Sequence, residues 1–331
     1  MPKYSHPARS PWKEGNFSED ANYHQYLRGL EFMKKLVIVE RSFLIGHIAS
    51  MVFGLAGLLL VLPNAEFIAS LPPIGQTAFG WSMAGGGVAY MVLGIAAVAI
   101  YAYRVFGAKP WLTFMVSAIA ISLSSELLGT STGFPFGHYH YLSGLGYKIG
   151  GLVPFTIPLS WFYLGFVAYL LARSGLEQLN ISKGLRLGGA IVFGSILLTS
   201  WDFVLDPAMS QTSVPFWIWD QPGGFFGMPY QNFFGWLGTG IVFMTVATLF
   251  WEKTPLSLSR SQLIFPLIVY LANLGFALVM SVGGGFWIPA SLGIVVGAIP
   301  AIVFFSMAKS QAQIAGEWQN QQQFIVNEVK T

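Results

Sequence analysis

Long apolar runs separated by short polar connections dominate the chain, and eight of them reach the roughly 20 residues that a helix needs to cross a hydrocarbon core of about 30 Å. These runs lie at 43–62, 77–101, 111–130, 152–172, 185–206, 231–250, 263–282 and 287–307. The pattern predicts an all-α integral membrane protein of about eight transmembrane helices. Residues 1–42 then form an N-terminal tail, 43–308 the membrane domain and 309–331 a C-terminal tail. In the first tail Tyr23, Tyr26, Leu27, Leu30, Met33 and Val37 recur at roughly helical spacing among charges. That suits either an amphipathic helix lying on the membrane or a loosely ordered segment. The tail is too long and too charged for a cleaved secretory signal, and the Gln-rich stretch from Lys309 suits a short polar helix.

Composition agrees with this pattern, since 54% of the 331 residues are hydrophobic and only 9% charged. The basic residues then orient the spans, because cytoplasmic loops collect Lys and Arg. Lys3, Arg9, Lys13, Arg28, Lys34, Lys35 and Arg41 precede the first span. Arg104, Lys109, Arg173, Lys183, Arg186, Lys253, Arg260, Lys309 and Lys330 fall in connections on the same side, and only Lys148 falls on the other. Both termini are therefore expected to be cytoplasmic in a multi-pass protein of the bacterial cytoplasmic membrane, with loops 131–151 and 207–230 facing outward. Bases spread over connections rather than gathered in a patch give no footprint for nucleic acid.

Against this background Glu126, Asp202 and Asp206 stand out, because each lies within or at the end of an apolar run. An ionisable group in the hydrocarbon region costs several kcal/mol and commonly faces a protein interior or a water-filled cavity. The charge count places all three near the outer surface in one leaflet. Asp202 and Asp206 are four residues apart and so share a helix face, and Pro207 is expected to end or bend that helix. Above the acids lie two aromatic loops. One carries Gly133-Phe-Pro-Phe-Gly137-His138-Tyr139-His140-Tyr141. The other carries Trp217-Ile-Trp219-Asp220 and leads to Asn232 and Trp236.

Trp and Tyr favour headgroup depth in any membrane protein. Interleaved here with Gly, Pro, His and Asp beside buried acids, they read instead as the mouth of a pocket. Gly85-Gly86-Gly87 and Gly293-x-x-x-Gly297 read as places of close helix approach, with no ligand role. The absence of cysteine removes disulfides, iron–sulfur clusters and zinc–thiolate sites. His138 and His140 are too few for a histidine-box iron hydroxylase, so no metal is expected. His47 is expected to be a satisfied packing residue.

Glu126-Leu-Leu-Gly129, the Gly-Phe-Pro-Phe-Gly loop with Tyr139 and Tyr141, Asp202-x-x-x-Asp206-Pro207, Trp217-x-Trp219 and Gly227-x-Pro229-x-x-Asn232-Phe-x-Gly235-Trp236 occur here in one order. Together they resemble the CruF-type carotenoid hydratase family, over roughly residues 43–305. The resemblance implies an integral membrane enzyme that adds water across the terminal C1,C2 double bond of an acyclic carotenoid end group, with gamma-carotene, lycopene or a related carotenoid as substrate. It also implies other carotenoid-pathway enzymes and membrane lipid as neighbours. Such a hydration needs a strong proton donor, a surface that tolerates a tertiary cation, and a placed water.

A carboxyl group withdrawn from water keeps its proton more readily, so Asp202 or Glu126 is the candidate acid. Asp206, with Asp220 in reserve, is the candidate base. His138 and Tyr141 are candidates to hold the water, and Tyr139, Trp161, Trp201 and Trp217 to face the cation. Trp219, Asn232 and Trp236 complete the expected substrate-binding set. No redox cofactor is required.

A proton- or ion-coupled transporter is the alternative, as buried acids and helices broken at Pro154 and Pro158 also suit ion paths. Acids near one surface and the lack of a basic partner within the spans count against it. A retinal protein would need an intramembrane lysine, and every Lys lies in a loop or tail. A structural pigment-binding protein would leave the acids unexplained.

Overall fold

A computed structural model describes residues 17–251, 256 and 258–309. The expected C-terminal polar helix lies outside the described residues, as does the start of the N-terminal tail. Among the described residues eight helices are long and apolar enough to cross a membrane, so the chain is an all-α, multi-pass membrane protein.

The first helix, α1 (Phe17–Ala56), is longer than its apolar run. Residues 17–42, read from the sequence as tail, continue without a break into the first span, which then widens into a π turn at Gly57–Val61. A short α2 (Ala65–Ser70) leads to α3 (Pro73–Phe106), and Gly107 at φ 80° separates α3 from α4 (Ala108–Thr132). Next come α5 (Thr156–Leu176), α6 (Lys183–Met209), α7 (Tyr230–Trp251) and α8 (Arg260–Gly283). The last span is assembled from α9 (Trp287–Leu292), a π segment and α10 (Ile299–Met307). Pro207 does not end its helix, which runs on to Met209. The carbonyl of Pro207 accepts from the Gln211 side chain at 3.0 Å.

The centre of the bundle is α5, buried along almost its whole length although its hydropathy is the lowest of the eight spans. Residues against lipid gain from being apolar, whereas residues against protein gain from fitting and from finding partners. Thus Tyr163 donates to Asn273 Oδ1 at 2.9 Å, and Tyr169 shares a 2.7 Å hydrogen bond with Thr248. His47 is fully buried between the Tyr90 carbonyl, 2.7 Å from Nδ1, and the Asn273 amide, 3.0 Å from Nε2. It is a satisfied packing residue, as expected.

Small residues set the closest helix approaches. A Cβ at Gly194 would lie 3.0 Å from the Tyr169 Cα. One at Gly293 would lie 2.3 Å from Val204, and one at Gly297 2.7 Å from the Ser200 hydroxyl. The last span can therefore sit directly on α6.

At one end of the bundle two long loops fold over the helix ends. Their strands β1 (Tyr139–Tyr141) and β4 (Trp217–Trp219) pair antiparallel, with Tyr139 opposite Trp219 and Tyr141 opposite Trp217. A second small pair joins β2 (Lys148–Ile149) to β3 (Val153–Pro154). At the other end Arg104 holds the buried Glu40 through two contacts of 2.8 and 3.0 Å. Acidic cavity and basic connections thus occupy opposite ends.

Candidate active site

The alternation of β1 and β4 decides which loop side chains enter the bundle, because successive side chains on a strand face opposite ways. Tyr139 and Tyr141 point inward and are buried, while His140 between them is exposed. The inward pair meets Glu126 of α4. Both phenols donate to Oε2, Tyr141 at 2.9 Å, and Trp161 Nε1 of α5 donates to Oε1 at 3.0 Å. Burial, and then the charge of Glu126, push both phenols well above the usual phenol range. They remain donors throughout the working pH range.

Opposite them, Trp217 and Trp219 turn their indole N–H groups onto Asp206 Oδ1 of α6, Trp219 at 3.2 Å. Asn232, in the first turn of α7, places its amide nitrogen 3.2 Å from Asp206 Oδ2, 2.8 Å from Asp202 Oδ2 and 3.0 Å from the Met228 sulfur. The i, i+4 spacing does bring the two aspartates to one partner. Among the described residues no donor reaches the second oxygen of Asp202. The three carboxylates are therefore unequal: Glu126 and Asp206 each accept three hydrogen bonds and Asp202 accepts one.

All three line one cavity of about 800 Å³. Trp161 stacks on Trp236 at 3.9 Å between ring centroids, and Trp236 in turn meets Trp201 at 5.9 Å. Trp201, Trp217, Trp219 and Trp236 face the cavity, together with Tyr139 and Tyr141. Beyond the acids and Asn232, its walls are mostly aromatic, aliphatic and glycine, with Ser50, Ser82 and Ser160 among them.

Three expected members stay outside. His138, Asp220 and Trp161 do not line the cavity, Trp161 being fully buried behind Trp236 and Glu126. His138 is exposed at the turn before β1. Asp220 follows the outward-facing Ile218 at the period of two, and it pairs on the outer face with His140 at 2.9 Å. Strand alternation, applied to Tyr-His-Tyr and Trp-Ile-Trp-Asp, was the signal that separates inner from outer side chains. Asn232 lines the cavity, with its amide nitrogen turned to the two aspartates.

Conversely, sequence reasoning overlooked Phe136, a buried cavity residue wedged between Gly129 and Gly235. A Cβ on either glycine would come within 2.7 Å of its ring. Gly85, Gly86 and Gly87, expected to serve helix approach, all border the cavity, and Gly87 lies also against the Gly144 carbonyl of the loop.

A model of the carotenoid biosynthesis protein family matches residues 86–300. A bisanhydrobacterioruberin hydratase from Haloarcula japonica is 37% identical over 128 residues, which is 39% of this chain and 41% of that protein. The alignment thus spans less than half the length of that relative. No solved structure matches. The family match takes in all three carboxylates, both aromatic loops and the indoles of Trp201, Trp217, Trp219 and Trp236, and so the chain belongs to the carotenoid biosynthesis protein family.

Proposed function

We propose that the protein is a carotenoid hydratase, adding water across the terminal C1,C2 double bond of an acyclic end group to give a tertiary alcohol. The observation that carries this reading is the unequal sharing of donors among three carboxylates in one aromatic cavity. The relative from Haloarcula japonica is named as a hydratase, in agreement with it. Asp202 has an oxygen free to carry and deliver a proton, while Glu126 and Asp206 are surrounded as acceptors.

In the first step Asp202 gives its proton to C2, the double-bond electrons form the new C–H bond, and C1 becomes a tertiary cation. Indole and phenol faces around the cavity stabilise that cation by about 0.5–2 kcal/mol for each well-placed ring. A water oxygen then bonds to C1 and passes one proton to Asp206. Return of that proton to Asp202 through solvent restores the site, so one water is consumed and no electrons are transferred. The chemistry requires no redox cofactor. Gamma-carotene and lycopene are the proposed substrates, and the bacterial cytoplasmic membrane, with both termini cytoplasmic, is the proposed setting.

Expression in a host that accumulates lycopene or gamma-carotene tests the reading. Pigment extracts should contain a product heavier by one water, with its oxygen drawn from labelled water and not from dioxygen. Unchanged pigment in the presence of folded membrane protein would overturn the proposal.

Two further outcomes follow from the geometry. Asn232→Ala removes the shared donor and should lower kcat about tenfold or more with little change in KM, measured on pigment delivered in detergent or vesicles. The His140–Asp220 pair is about half exposed, at 51% and 47%, and exposed pairs contribute less than about 1 kcal/mol. Asp220→Asn should therefore hydrate at close to the parent rate, and a loss comparable to that of an Asp206 variant would show that Asp220 reaches the reaction.

A further inference from the structure

We infer that Gly85 and Gly86 of α3 form a wall along which the polyene chain lies, and that the substrate enters sideways from the bilayer past Phe53 and Trp81. The inference rests on reading the cavity as the carotenoid site, and it adds the route and the residues that set the width of the bound chain.

The first observation is that these two glycines have no packing reason to lack a side chain. A Cβ at Gly85 would meet nothing within 4 Å, and one at Gly86 would meet only the Ser82 hydroxyl of its own helix, at 3.7 Å. In a helix interior each glycine costs up to about 1 kcal/mol relative to alanine. Two adjacent glycines, both bordering the cavity, instead leave a shallow trough in the face of α3. Gly54 and Gly57 of the first span border the same cavity, and a Cβ at Gly57 would also meet nothing.

The second observation is that the cavity reaches the outside of the bundle. Phe53 and Trp81 line it and yet are 64% and 76% exposed. Each lies roughly two helical turns inside the end of its span, at a depth that faces lipid rather than bulk water. From the loop side, by contrast, the cavity is covered by the buried Leu145 and by Phe216, Trp217 and Trp219.

The third observation is the polar pole of the cavity, where Asp202 is nine-tenths buried and, among the described residues, keeps one carboxylate oxygen without a donor. A ligand that satisfies all three features is long, narrow and apolar, dissolves in the bilayer, and carries its reactive carbon at the tip. An acyclic carotenoid end group has that shape.

The test measures pigment retention apart from turnover. Protein carrying Asp202→Asn is purified in detergent from a lycopene-accumulating host, and the ratio of bound lycopene to protein is read by absorbance. Gly86→Phe in that background should reduce the ratio about tenfold, and Gly85→Leu should do so to a smaller extent. Gly80→Phe is the control, because Gly80 lies in the same helix with nothing near its Cβ and does not border the cavity. It should retain pigment like its parent.

Gel filtration and thermal melting establish that each variant is folded, and Gly85→Leu carries the test if Gly86→Phe does not fold. Equal pigment in the Gly86→Phe, Gly85→Leu and Gly80→Phe proteins would overturn the wall. Failure of the hydratase reading looks different: the parent chain would make no hydrated product, yet pigment retention would still depend on Gly85 and Gly86.

Discussion

Asp202→Asn should lower the hydration rate by about 10²–10⁴-fold, the usual contribution of a positioned general acid, while the protein still inserts and folds. The substitution keeps the size of the side chain and can keep an oxygen toward the Asn232 amide, now 2.8 Å from Asp202 Oδ2. It removes the proton that must reach C2. Because Asp202 makes a single hydrogen bond, its replacement disturbs the fewest partners of any acid in the cavity. Loss of rate should therefore appear in kcat with bound pigment retained. Product formation by Asp202→Asn at the parental rate in the lycopene-accumulating host would remove Asp202 from the mechanism and move the acid role to Glu126.

Glu126→Gln should act on both stability and rate. Three donors converge on this carboxylate, from Tyr139, Tyr141 and Trp161. An amide has one accepting oxygen, so whichever way it turns, an N–H group faces at least one O–H or N–H donor. Leaving a buried donor unpaired costs about 1–3 kcal/mol, which thermal melting in detergent should detect as a lowered midpoint. Tyr141→Phe should cost less, since Glu126 keeps Tyr139 and Trp161 as donors. The rate should also fall by at least about tenfold, because a negative charge beside the developing cation is lost. A Glu126→Gln protein as stable and as active as its parent would show that the convergence of donors has no energetic weight.

Much of this arrangement can be read along the chain because membranes impose one-dimensional rules. The hydrocarbon thickness sets the length of each span, the scarcity of charge exposes Glu126, Asp202 and Asp206, and loop bases sort the connections into two sides. The start of α1 escaped those rules, since a helix need not stop where its apolar run stops. The extent of burial escaped them as well: α5, the least hydrophobic span, is the most buried. Hydropathy measures affinity for lipid, and α5 meets almost none.

The site was legible in its residue types but not in its pairings. Four-residue spacing placed Asp202 and Asp206 on one face, yet nothing local says that Asn232, 26 residues beyond Asp206, donates to both. Likewise, Asp220 and Asp206 look alike in the sequence, and only the antiparallel pairing of β1 with β4 turns one outward to His140 and the other beneath two indoles. Gly85 and Gly86 looked like helix contacts because a glycine pattern does not reveal whether its empty side meets a neighbour or a cavity.

Composition and periodicity, being properties of single segments in a membrane, determined the eight spans, the layer of three acids and the aromatic loops above them. Which acid has a free oxygen, which loop residues turn inward and where the cavity opens were decided by tertiary packing, because each depends on contacts between segments far apart in the chain.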